Sequence, residues 1–186
     1  MSAIEVDLRL RSPHWSRVTA SADTVNDGNG LWVRADHDCS DPTDPEVLAS
    51  HPGRLAAIRI DGDEVVLAQD RLRSWPLFWS LEDGVGGAQR LVISNDATLM
   101  REAVSTPRLD ARARREFLDA GFVTGSDTLL AGIHQTEQGT VVRIDRATGR
   151  VRTINHSLGR FSEETDTVVA PEDFSDLLTE ALDAVL

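Results

Sequence analysis

Residues 36–44 concentrate side chains able to bind a metal or attack a carbonyl: Asp36, His37, Asp38, Cys39, Asp41 and Asp44. Cys39 is the only cysteine, so no intrachain disulfide can form. Its thiolate would be the nucleophile, yet the flanking carboxylates raise a thiol's pKa, so a cysteine without a catalytic role is expected. As ligands these residues fit neither a zinc spacing nor a twelve-residue calcium loop, and a solvated acidic loop is the simpler reading. His14, His51, His134 and His156 are scattered without a partner pattern and are expected on the surface or in loops. Trp15, Trp32, Trp75 and Trp79 offer a stacking surface for a ligand, but core packing accounts for Trp75 and Trp79 at least as well. All 19 basic residues are Arg, which removes Schiff-base and phosphate-loop lysines from any mechanism.

The 186 residues suffice for one ordinary domain with a real core. With 31 acidic residues the formal net charge is −12, and the surface field repels nucleic acid and anionic lipid. The N-terminal MSAIEVDLRLR mixes charge with apolar residues, unlike a signal peptide, and no apolar run approaches about 18 residues. A cytoplasmic protein with no nucleic-acid or membrane partner is expected.

These side chains must be held by elements that the patterning announces. AIEVDLRL at 3–10 alternates as a half-buried strand with Ile4, Val6, Leu8 and Leu10 inward. After a polar stretch to Gly30, LWVRA at 31–35 predicts a second strand, and PEVLAS a helical turn. RLAAIRID at 54–61 and EVVLAQD at 64–70 predict a hairpin, with Gly62 supplying the positive φ of its turn. PLFWSL at 76–81 and RLVISN at 90–95 predict two more strands. The period then turns helical at 96–104 and 109–121, with Asp96 and Asp110 as N-caps and Gly121 as the stop. TVVRID at 140–145 and GRVRTI at 149–154 predict another hairpin. In 171–186, Phe174, Leu177, Leu178, Ala181, Leu182 and Val185 take the spacing of one helix face, and the pattern is still running at Leu186, as in a segment cut from something longer.

Within LAQDRLRSWPLFWS, residues 67–80, the segment from Asp70 through Pro76-Leu77-Phe78-Trp79 resembles the "RD-x-x-G-x-x-PL-aromatic-aromatic" stretch of the N-terminal glutaminase-like domain of asparagine synthetases. Three further segments follow that family's order. GRLAAIRIDGDEVVLAQD is similar to its "G-x-F-A-F-A-I-x-D" hairpin through Gly53, Ala56, Ala57 and Ile58. VISNDATLMREAV is similar to "F-A-S-E-x-K-A-L" through Ser94. Residues 109–145 resemble the helix, the "G-Y-V-P-x-x-x-T-L-F-x-G-I" loop and the "P-G-x-x-L-x-x-D" strand, through Phe122, Val123, Thr128, Leu129, Gly132, Ile133 and Gly139. The likeness spans roughly residues 53–186 and implies an α+β, N-terminal-nucleophile hydrolase fold of stacked antiparallel sheets flanked by helices. It also implies a division into a glutaminase-like domain over 1–170 and, over 171–186, the helix that opens an ATP-dependent synthetase domain.

In that family a cysteine at position 2, freed by removal of Met1, hydrolyses glutamine with its own α-amine as base. This chain has Ser2 there, and no counterpart of the "R-G-P-D", "N-G-E" and "S-D-T-E" segments that hold the substrate and its oxyanion. Each missing oxyanion donor costs an amidase on the order of 3 kcal/mol. The resemblance therefore implies a degenerate domain without catalytic, cofactor or metal residues of its own. β-Lactam synthetases and lasso-peptide cyclases are similar enzymes lacking the cysteine. ATP and Mg would belong to the synthetase domain, and that domain, or a separately encoded partner, would pack through 171–186. Two alternatives stay open: a residual amidase with Ser2 as nucleophile, and a free-standing peptide- or protein-binding module. A homodimer is a further way to cover that apolar face.

Overall fold

The computed structural model describes residues 4–10, 16–18, 30–83 and 89–157. Ser2, Trp15, His14 and the expected helix at 171–186 lie outside them.

Among the described residues, ten strands and three helices follow one another as β1 (Glu5–Arg9), β2 (Ser16–Val18), β3 (Gly30–Ala35), α1 (Pro45–Ser50), β4 (Leu55–Ile60), β5 (Glu64–Gln69), β6 (Phe78–Asp83), β7 (Gln89–Ser94), α2 (Ala97–Ala103), α3 (Ala111–Ala120), β8 (His134–Gln135), β9 (Thr140–Asp145) and β10 (Val151–Asn155). They build a six-stranded sheet in the order β10-β9-β5-β4-β3-β2 and a four-stranded sheet in the order β1-β7-β6-β8. The larger sheet is antiparallel throughout. The smaller one is mixed, because β1 runs parallel to β7 while β6 pairs antiparallel with β7 and β8. The expectation of purely antiparallel sheets is corrected at this edge: alternation along 3–10 fixes which side chains face inward, not which way the partner strand runs.

Alternate residues of β4 and β5 serve two different cores. Ala56, Ile58, Ile60, Val65 and Leu67 face the other sheet and meet Trp79, Leu91 and Ile93 of β6 and β7, with Ile4 beside them. Leu55, Ala57, Val66 and Ala68 face outward and are covered by Leu48 of α1. On the outer face of the smaller sheet, Val92 packs against Met100 and Ala103 of α2 and against Ile133. The layers run helix, sheet, sheet, helix, and burial on both faces explains why β4 and β5 read as nearly continuous apolar runs.

The helices begin where short acidic side chains can accept amide protons. Asp44 Oδ1 takes Glu46 N at 2.8 Å, Asp96 Oδ1 takes Thr98 N at 2.7 Å, and Asp110 Oδ1 takes Ala113 N at 2.8 Å. α3 ends on Gly121 at φ 83°. The β4–β5 turn works differently from the expectation, since Gly62 is not in the positive-φ region. Asp61 Oδ1 instead accepts from Asp63 N at 3.1 Å and Glu64 N at 2.8 Å, a side-chain-closed turn that needs no left-handed residue.

Candidate functional site

The densest polar construction surrounds the exit of β5, where Asp70 is 7 % exposed. Its carboxylate accepts from Leu55 N at 3.0 Å, Leu72 N at 2.7 Å and Ser74 N at 3.2 Å. Its main-chain carbonyl takes Gly139 N at 2.8 Å. The side chain thus joins the start of β4 to the turn after β5, and the main-chain carbonyl adds the approach to β9. Arg71 donates to the Ala49 carbonyl and ties the same turn to α1. Arg73 completes the turn at φ 52°, a left-handed conformation that residues with a Cβ rarely adopt.

Beside this turn Gln69 is fully buried, and its Nε2 donates to the Trp75 carbonyl at 3.1 Å. His156 is 8 % exposed and donates through Nε2 to the Gln69 carbonyl at 3.0 Å, which leaves Nδ1 unprotonated. Burial pushes the His156 pKa down and the nearby Arg71 charge adds to it, against the Gln69 carbonyl and Asp70. Among the described residues no hydroxyl or thiol bonds to His156 Nδ1, Thr136 Oγ1 has no partner, and no nucleophile–base pair is formed. His156 lies in the bend after β10, a loop position as expected, but it is buried there and closes β10 onto the end of β5.

The start of β1 lies at the opposite end of the larger sheet. Ile4 N donates to the Arg146 carbonyl at 2.8 Å, and the Arg146 guanidinium returns to Ile4 O at 3.2 Å while also holding Asp61 O. Ser2 itself lies outside the described residues, two positions before this staple.

The other candidates are dispersed. Cys39 is half-buried among the side chains around α1, and its pKa is raised first by burial and then by the Asp41 charge, an unreactive setting. His37 and His51 face each other edge-on at 6.4 Å, and a Cβ at Gly53 would meet the His37 ring at 2.4 Å. Among the described residues no three His, Cys, Asp or Glu side chains converge on a point that could hold a metal. Trp79 belongs to the core between the sheets and lies 4.6 Å from the half-buried His134 ring, while Trp32 and Trp75 pack against that core. Trp75 also carries Arg34 over its face at 4.3 Å.

The residues that sequence reasoning missed are Gln69 and Thr136, both fully buried polar side chains. Neither belongs to a local pattern, because each is placed by contacts with distant segments. No helix among the described residues is long and apolar enough to cross a membrane. No family model matches the chain, and no curated protein matches it.

Proposed function

We propose that this chain is a degenerate glutaminase-like domain of N-terminal-nucleophile hydrolase type, retained as the packing partner of an asparagine-synthetase-like, ATP-dependent amide-forming domain. The observation that carries the reading is the turn after β5. Counted from Asp70, the glycine of the "RD-x-x-G-x-x-PL" pattern falls at position 73, and Arg73 holds the left-handed φ of 52° that a glycine there would supply. A left-handed backbone at the position where the pattern has its glycine is what supports the likeness.

The other residues of the likeness support the same scaffold role. Ser94 Oγ donates to the Arg9 carbonyl at 2.6 Å and joins the ends of β1 and β7. Thr128 Oγ1 lies 2.8 Å from the Ile133 carbonyl and accepts from Leu130 N at 3.1 Å, holding the loop before β8. Gly139 stands at φ 61° between Asp70 and His156. Each of these groups is occupied with backbone, so what the likeness preserves is shape. The helix–sheet–sheet–helix layering is of the kind the likeness implies.

The test combines chemistry and association. The chain freed of Met1 is expected to release no ammonia from glutamine, and to form a stoichiometric complex with a synthetase segment encoded downstream or in a neighbouring gene. Ammonia release that disappears in Ser2→Ala would overturn the loss of activity, and failure to associate would overturn the packing role.

A further inference from the structure

A surface cleft opens beside the Asp70 turn, lined by Arg71, Leu72, Arg73, Phe122 and Gln138 among others. Its apolar walls are unusually bare: Leu72 is 73 % exposed and Phe122 59 %. Its charge is equally uncommitted. The Arg73 guanidinium bonds to none of the described residues, and Arg71 reaches only the Ala49 carbonyl. Two nearby acids are engaged elsewhere, Asp70 with three amides and Glu116 with Thr124, whose amide it accepts at 3.1 Å. In a chain of net charge −12, two unpaired arginines beside two bare hydrophobes mark a place for an acidic, amphipathic segment.

Such a segment exists in the same chain. Residues 171–186 place Phe174, Leu177, Leu178, Ala181, Leu182 and Val185 at helical spacing, and carry Glu172, Asp173, Asp176, Glu180 and Asp183 with no basic residue. The chain also leaves the described fold beside the cleft: His156 N bonds to Gly139 O at 2.8 Å, and Gly139 follows the cleft residue Gln138. The thirteen residues 158–170 span about 45 Å when extended, ample for a return. We propose that residues 171–186 dock as an amphipathic helix into this cleft of their own chain, with Leu72 and Phe122 against the apolar face and Arg71 and Arg73 against its carboxylates. The inference rests on these residues alone and competes with the reading in which 171–186 packs against a synthetase domain or a separate partner.

The test uses the full chain with Cys39→Ser and paired cysteines. Leu72→Cys with Leu178→Cys is expected to form an intramolecular disulfide about tenfold faster than Asp63→Cys with Leu178→Cys, since docking raises the local concentration of the pair. Asp63 lies in the β4–β5 turn at the far end of the sheet and serves as the control position. Arg71→Glu with Arg73→Glu should slow the first reaction, and Asp176→Arg with Glu180→Arg should restore it. Equal rates for the two pairs would overturn the proposal, and so would a disulfide between two copies. A second readout avoids cysteines: amide exchange at 174–185 should be protected in the unaltered chain and accelerated by Leu72→Asp. Absence of protection would also overturn it.

Discussion

The Asp70 carboxylate accepts from three amides in two segments, and its removal would strand the buried Leu55 N–H. Asp70→Ala should lower the unfolding free energy by about 3 kcal/mol, since hydrogen bonds to a charged acceptor are worth more than neutral ones, and Asp70→Asn should cost less. Urea denaturation followed by tryptophan fluorescence measures both. His156 gives a pH-dependent counterpart. Its folded pKa lies below the free value of 6.5, so the unfolded chain binds the proton more readily. Stability from this group is complete above about pH 6.5 and is lost as pH falls toward the folded pKa. His51 is lowered too, again first by burial, and contributes in the same sense. The difference between the unaltered chain and His156→Gln isolates the His156 share, which should be constant around neutral pH and decline on acidification. The strand-exit role of Asp70 is legible because two of its three amide partners, Leu72 N and Ser74 N, lie in its own turn, whereas Arg71 acts on Ala49, 22 residues away. The role of His156 is not legible either, because its partner Gln69 is 87 residues away.

Elements with local signals were readable, and those made by their neighbours were not. Asp96 and Asp110 announce two helices because an N-cap bonds within its own first turn, and Asp44 caps α1 in the same way, where the pattern gave only a helical turn at PEVLAS. β2 and β8 are short, and each exists through the strand it pairs with, Gly30–Ala35 and Phe78–Asp83 respectively. The β4–β5 hairpin was legible while its turn chemistry was misassigned, since both Gly62 and Asp61 can close such a turn. The β9–β10 unit offers the sharpest test of backbone geometry. Gly139 holds φ 61°, and a Cβ there would lie 2.5 Å from Ser157 Oγ and 2.6 Å from its Cβ. Gly139→Ala should cost more than about 1 kcal/mol, and adding Ser157→Gly should recover only part of it, because the left-handed backbone remains. Thermal denaturation of the two variants separates the steric share from the conformational one.

For the molecule as a whole, the core between the sheets is the feature that ties ten strands into one unit. Ile93 is fully buried in it. Ile93→Ala should therefore cost about 2–5 kcal/mol and shift the circular-dichroism and tryptophan-fluorescence transitions together. Separate transitions would show two sheets unfolding independently. Composition and periodicity reach a mixed α and β chain, and the pairing of its strands into two sheets is set by contacts between distant segments. The parallel pairing of β1 has a consequence in time. Its partners, Arg90 to Ser94, and its anchor Arg146 are all translated long after it. At roughly 5–20 residues per second, the ribosome needs on the order of ten seconds to deliver that anchor. For most of that interval β1 has no strand to pair with, so the smaller sheet closes only after the rest of the sandwich has been delivered.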